Sequence, residues 1–297
     1  MNKKSKTSFS SDEIAEYYDR TEVHYRRAWD LNTSLAMHYR YWDEQVRTFR
    51  ESLNRMNEKI AEEVGVQTGM HILDAGCGVG GSSIFLAKRF GAKVTGVTLS
   101  EKQVLSCKRN AALAGVLDLT NFYCEDFTKT SFPDESFDII WGAESVVYIT
   151  DKLAFFKEAK RLLKPNGRLI LAEYVLSRPP ETNREEKYLS KWLQAWAMDG
   201  IVPLADYEQA SAVIGMPCIQ NRNITDHIRK SSWRMYYGSH YLAVLSNLYR
   251  LINPKVNRFA DKHYESLYYQ YKALKSGLWE YYFLTFSKSE KNEKKIP

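Results

Sequence analysis

From residue 66 to 176 the chain alternates short apolar, β-rich runs with longer stretches whose apolar positions recur at helical spacing. This pattern predicts strands near 71–75, 93–98, 120–125, 137–142 and 168–174, with helices near 80–90, 101–114 and 152–164 between them. Strands joined by crossover helices call for a mostly parallel sheet with helices on both faces. The runs FDIIW and RLILAEY are continuous enough to be buried on both sides. Upstream, 11–65 reads as helices broken near Asp30–Ser34, with Ser10 or Ser11 as candidate cap of the first. Downstream, Arg178, Pro179 and Pro180 punctuate the chain, and 184–214 then reads as helix with Trp192 and Trp196 one turn apart. PCIQNRNIT reads as a sixth strand leading to Asp226 as a candidate helix cap, 227–276 as a helical insertion, and WEYYFLTFSK as the last strand. The expected architecture is α/β, with one seven-stranded sheet over 66–287 carrying helical insertions at about 180–214 and 227–276.

Composition adds limits. With 297 residues and 44% apolar side chains, one large core can form. Cys77, Cys107, Cys124 and Cys218 are widely spaced with no C-x-x-C pair, as expected of free thiols in a reducing compartment. No leader or membrane-length apolar run is visible, so the expected location is cytoplasmic, without stable membrane insertion. Segments 1–10 and 287–297 hold +5 of the +6 net charge, through Lys3, Lys4, Lys6, Lys288, Lys291, Lys294 and Lys295 against Glu290 and Glu293. The ends, 1–10 and 288–297, are expected to be disordered tails. The body between them is nearly neutral, which argues against a surface that follows phosphates and hence against a nucleic-acid partner.

The chemistry concentrates in HILDAGCGVGG, residues 71–81. An apolar strand ends in Asp74 and a glycine cluster, Gly76, Gly78, Gly80 and Gly81, before SSIFLAKRF begins a helix. Such a Rossmann-like turn lets a ligand approach bare backbone at a helix N-terminus. Gly76, Gly78 and Gly81 satisfy G-x-G-x-x-G, so a dinucleotide is one reading, but it needs a ribose-binding acid about 20 residues further on. The next strand ends instead in Val97, Thr98 and Leu99. A carboxylate at the first strand's tip suits a cationic ligand such as S-adenosylmethionine and repels a pyrophosphate. The methyl donor is therefore the favoured cofactor.

At these residues the chain resembles a family. DAGCGVGGSS, VTGVTLSEKQ, CEDF, FPDESFDIIW and RLLKPNGRLILAE are similar to segments of class I S-adenosylmethionine-dependent methyltransferases, of the branch acting on tocopherol precursors, sterols, cyclopropane fatty acids and isoprenyl diphosphates. The likeness is specific over about 65–180. It implies cofactor contacts from Asp74, Gly76, Cys77, Gly78, Thr98, Leu99 and Gln103, with Asp126 accepting from the adenine amino group and Phe127 stacking beside the ring. TLSEKQ resembles the T-L-S-x-x-Q segment of the cyclopropanating relatives, in which Gln103 takes the polar duty of the missing acid. The likeness also implies that 11–65 is a helical lid over the site, with SLAMHYRYWDE as its motif and Tyr18 and Tyr39 as lining candidates.

Methyl transfer to an activated carbon mainly requires positioning, and a base only where the acceptor loses a proton. Glu144 stands just past the buried FDIIW strand, where a carboxylate can take a proton or steady a cation on a methylated alkene. AESVVY resembles the E-S-x-x-Y segment of the isoprenyl-diphosphate C-methyltransferases, so Glu144 is the catalytic candidate. The alternative is that it caps the helix near Asp151 or pairs with an arginine. Tyr148, Trp196, Tyr237 and Tyr268 join Tyr18 and Tyr39 as candidates for holding a small, largely apolar acceptor, with carbon favoured over oxygen and nitrogen. The histidines show no metal-ligand spacing, so no built-in metal is expected. A diphosphate acceptor would bring Mg²⁺ or enlist Arg26, Arg27, Arg40, Arg229 and Arg234. A homo-oligomer is compatible with the sequence.

Overall fold

The computed structural model describes residues 9–17, 35, 38–252 and 263–288, with main chain only at 241–252, 263 and 264. Its centre is a seven-stranded sheet, β1 (His71–Ala75), β2 (Lys93–Thr98), β3 (Thr120–Cys124), β4 (Phe137–Ala143), β5 (Leu163–Leu176), β6 (Cys218–Asn223) and β7 (Trp279–Ser287), in the order β3-β2-β1-β4-β5-β7-β6. The first five strands are parallel and β7 enters antiparallel between β5 and β6. The chain order reverses beside β1, so the carboxyl ends of β1 and β4 border the crevice in which such sheets bind ligands.

The helices that flank it are α1 (Phe49–Val64), α2 (Gly81–Phe90), α3 (Glu101–Ala114), α4 (Lys152–Leu162), α5 (Asn183–Ala195), α6 (Leu204–Val213), α7 (Thr225–Ile252) and α8 (His263–Lys275). One face of the sheet packs on α1, α2, α3 and α5 through residues such as Met56, Ile84, Cys107 and Trp192. The other packs on α4 and α6 through Phe155, Phe156, Leu162 and Tyr207. Capping follows the side chains. Thr48 and Glu51 form a reciprocal capping box on α1, Ser100 caps α3, and Asp151 caps α4. Ser10 caps the helical residues 11–17, its hydroxyl accepting from the Glu13 N–H at 3.3 Å.

Four expectations are corrected. The helix expected over 184–214 is two helices, interrupted at 196–203, where Ala197 has φ +53° and Pro203 precedes α6. The helical reading of 11–65 fails at 38–48, which is irregular because its backbone is drawn into tertiary bonds. The Trp42 N–H donates to the His227 carbonyl at 3.0 Å, and the Tyr41 N–H to the Ser52 carbonyl at 3.0 Å. Asp226 is not a cap but lies in the first turn of α7, paired with Arg229 at 2.7 Å. β5 runs well beyond 168–174 at both ends, because β4 and β7 supply backbone partners along it.

Candidate active site

The β1 turn is built against two neighbouring strand ends. Gly76 has φ +90°, and its N–H and that of Cys77 both donate to the Val97 carbonyl, at 3.0 and 2.9 Å. A Cβ at Gly76 would stand 2.4 Å from the Ser145 Cβ, so only glycine fits between β1 and the turn after β4. Asp74 is buried and accepts from the Ser83 hydroxyl of α2 at 2.6 Å. Burial without a cation pushes its carboxyl up to about 6, against which the Ser83 bonds pull only partly. Cys77 turns its thiol to Cys107, 4.0 Å away, and so offers the turn its backbone rather than its sulfur. Gly78 continues the turn at φ +53°.

At the end of β2, the Thr98 hydroxyl donates to the Gln103 amide oxygen at 2.5 Å, while the Gln103 N–H donates to the capping Ser100 hydroxyl. The Gln103 carbonyl is thereby committed, leaving its amide nitrogen as the end able to donate to a ribose oxygen. Leu99 is partly buried between them. After β3, one oxygen of Asp126 accepts from the N–H and hydroxyl of Thr128, at 2.8 and 2.7 Å, which fixes the loop. Phe127 is buried edge-on against Phe155, with its ring 3.7 Å from the point a Gly76 Cβ would take. Asp74, Gly76, Cys77, Gly78, Phe127 and Ser145 thus belong to one locality, with Thr98 and Gln103 at the neighbouring strand end.

Glu144 begins the turn after β4 at φ +56°, and its own N–H donates to the Ala172 carbonyl at 2.9 Å. Its carboxylate accepts from the Tyr39 N–H at 2.5 Å, from the Tyr281 hydroxyl at 2.8 Å, and from the Tyr174 hydroxyl. Tyr174 and Tyr281 are register partners on β5 and β7, so their side chains leave the same face. Burial raises the Glu144 carboxyl to about 7, opposed by the three donors and by the nearby Arg40 guanidinium. Burial and the Glu144 charge also hold the Tyr174 and Tyr281 hydroxyls well above the usual phenol range, so both remain donors. Glu144 therefore does not cap α4, a task that falls to Asp151.

The remaining candidates divide. Tyr39 is buried, with its hydroxyl donating to Gln270 at 2.5 Å and its ring against Tyr174 and Trp279, so it meets Glu144 through main chain. Trp196 is buried against Tyr174 and Trp192, its indole N–H donating to Ser266 at 2.8 Å. Tyr148 is partly buried in the 146–148 turn, three residues past Ser145. Tyr237 is exposed on α7 beside Trp233, and Tyr268 of α8 packs on Tyr236, in an aromatic group of their own. Tyr18 lies outside the described residues. Arg40 and Arg234 stack on Phe49, their guanidinium carbons 3.2 and 4.1 Å from its ring centre, while Arg229 pairs with Asp226. Among the described residues no group of three or more His, Cys, Asp or Glu side chains is arranged to hold a metal ion. Sequence reasoning missed Tyr174 and Tyr281 as site residues. The two tyrosines sit in apolar strands far apart in the chain, and only the β5–β7 register brings them to one carboxylate.

The donor set fits a sulfonium cofactor better than a dinucleotide: a buried acid without a cation stands at the turn, and 74–83 contains no lysine or arginine to meet a pyrophosphate. Comparison with known proteins agrees. Residues 73–171 match the family model described as a methyltransferase domain. In its sheet order and glycine turn the chain is similar to the class I S-adenosylmethionine-dependent methyltransferases. It is 33% identical over 174 residues to the 27-O-demethylrifamycin SV methyltransferase of Amycolatopsis mediterranei, covering 59% of this chain and 62% of that protein. With the cycloartenol-C-24-methyltransferase of Arabidopsis thaliana it shares 32% over 176 residues, covering 59% of this chain and 51% of the other. The chain thus spans a little over half the length of these curated relatives. Among solved structures, the cyclopropane synthase MmaA2 of Mycobacterium tuberculosis matches with a TM-score of 0.79 at 17% identity, covering 95% of this chain and all of that one. The geranyl diphosphate C-methyltransferase of Streptomyces coelicolor A3(2) matches with a TM-score of 0.70 at 19% identity, covering 96% and 100%. These structures share the fold.

Proposed function

We propose that this protein transfers the methyl group of S-adenosylmethionine to a small, largely apolar acceptor, with a carbon of an isoprenoid or lipid alkene favoured. The observation that carries this reading is Glu144, a partly buried carboxyl raised to about 7 and aimed by Tyr174, Tyr281 and the Tyr39 main chain beside the Asp74–Gly78 turn. The cofactor supplies a methyl group already activated by its sulfonium. Asp74 offsets positive charge, Gly76, Cys77 and Gly78 leave backbone open to it, the Gln103 amide and Leu99 meet the ribose, and Asp126 and Phe127 meet the adenine. Glu144 accepts the proton that the acceptor loses, or steadies the cation that an alkene becomes. Its position near 7 lets it do so at neutral pH. Aromatic residues of the lid and of α5, α7 and α8 cover the acceptor, with Tyr18, Tyr148, Trp196, Tyr237 and Tyr268 contributing to that cover. The sterol and geranyl diphosphate enzymes among its likenesses support an apolar acceptor.

The second reading is methylation of oxygen on a phenolic or polyketide-like product, favoured by the rifamycin relative and equally served by a base at Glu144. The neutral body of the chain favours a small molecule over nucleic acid, and we place the enzyme in the cytoplasm. Incubation with methyl-labelled S-adenosylmethionine and a metabolite extract, followed by mass spectrometry, tests the proposal. Label in a prenyl or lipid product supports carbon, label on a phenolic oxygen supports the second reading, and label in RNA or protein defeats both.

A further inference from the structure

The turn that carries Glu144 is gripped from both faces of the sheet, and only one grip involves Glu144 itself. On the opposite face, Glu173 is fully buried, yet its Oε1 accepts from two successive N–H groups of the turn, Val146 at 2.7 Å and Val147 at 3.3 Å. Lys152, also buried, donates from Nζ to the Val146 carbonyl at 2.7 Å and the Ile149 carbonyl at 2.6 Å. Four bonds from two buried ionisable groups therefore hold residues 146–149. Ser145, between this clamp and Glu144, donates to the Ala75 carbonyl at 2.5 Å and fills the space beside Gly76. Burying a carboxylate and an ammonium is costly, and an apolar pair would pack the same space more cheaply. Such groups are retained where position matters.

We infer that Glu173 and Lys152 are positioning residues of the active site, holding the 146–149 turn so that Glu144 meets Tyr174 and Tyr281 and Ser145 closes on the cofactor turn. The inference rests on the reading of Glu144 as the site's acid. Because adjacent residues of a strand face opposite ways, Tyr174 holds Glu144 from one side of the sheet and Glu173 holds the following turn from the other. The charges of Lys152 and, through the sheet, Glu144 act on Glu173, whose own charge reaches Tyr207 and Tyr281, with Asp206 near Lys152; burial pushes the Glu173 carboxyl up and the Lys152 ammonium down.

The test needs no acceptor. Glu144 is titrated by carboxyl ¹³C NMR, its signal identified by loss in Glu144→Gln, and S-adenosylhomocysteine binding is measured by calorimetry. Glu173→Gln keeps an oxygen for the two N–H groups and is expected to leave Glu144 within about half a pH unit of wild type. Glu173→Leu removes that acceptor, frees the turn, and is expected to raise the Glu144 titration by about one unit or more as its tyrosine contacts weaken. Should Glu173→Leu fail to fold, Lys152→Met, which removes the two donors on the same turn, is expected to shift Glu144 in the same direction. Binding of S-adenosylhomocysteine is expected to change by no more than about threefold in any of these variants. The inference is overturned if Glu144 titrates alike in the Gln and Leu variants, or if Lys152→Met leaves it unmoved. An inactive role for Glu144 would show instead as full methyl transfer by Glu144→Gln, a separate result.

Discussion

A carboxylate that accepts from two phenols and a backbone N–H is stabilised as the anion, whereas its burial favours the acid; at Glu144 burial outweighs the donors, leaving it near 7. If Glu144 acts as the base, methyl transfer to an acceptor that loses a proton falls on acidification below about pH 7. Glu144→Gln is expected to lower turnover by about 10²-fold or more while cofactor affinity holds. Removing one phenol should move the acid limb. Tyr281→Phe deletes a donor to the charged form, so the limb of the rate profile shifts upward by about one pH unit. A shift downward would contradict the assignment of that bond. The linkage sign follows from the same carboxyl: its folded pKa lies above its unfolded value of 4.5, so the stability it contributes is present at low pH and is lost between 4.5 and about 7. Glu144→Gln lacks this loss, so its melting temperature relative to wild type should rise between pH 5 and pH 8. At Asp74, replacement by Ala is expected to weaken S-adenosylmethionine binding by a few kcal/mol, measured by calorimetry, as for loss of a charge-assisted contact.

At the scale of elements, the strand-end turns depend on one another. Gly76 is locked by three neighbours, the Val97 carbonyl from β2, the Ser145 side chain from the turn after β4, and Phe127 from the loop after β3. Gly76→Ala would force a Cβ into Ser145 and strain a left-handed residue. It is expected to abolish cofactor binding in calorimetry and to cost at least about 1–2 kcal/mol of stability in denaturant titration. Strand β7 couples sheet and site differently: it brings Tyr281 opposite Tyr174, and its edge-side partner β6 leads directly into α7. The irregular segment 38–42 is held there too. Trp42 exchanges bonds with His227 and Ser231 of α7, and the Tyr41 ring stacks on His227 at 4.1 Å. An N-terminal segment fastened to α7 thus presents the Tyr39 N–H to Glu144.

Across the whole molecule, two apolar layers sandwich the sheet, and the site lies at its rim where both layers reach the strand ends. Phe155 belongs to the α4 layer and touches both Phe127 and Phe156. Phe155→Ala is expected to destabilise the fold by about 3–5 kcal/mol in denaturant titration, since no neighbour can fill so large a buried cavity. No described helix is long and apolar enough to cross a membrane. The helices α5 and α7 both pack on α8, beside β7.

The sequence by itself determined the sheet, its crossover helices and the glycine turn after β1. The patterns responsible are local: period-two and helical runs of apolar residues, glycines where φ must be positive, and an acid at the tip of β1. It also singled out Glu144, because that residue follows a buried strand directly. Tertiary structure alone decided what surrounds Glu144. Tyr174 and Tyr281 meet through an antiparallel register between strands more than a hundred residues apart, and Tyr39 contributes its main chain rather than its ring. The same holds where the expectation failed. The stretch 38–48 read as helix, but its indole, phenol and backbone groups found partners on α7 and α8, and the hydrogen bonds available across the fold outweighed the local pattern.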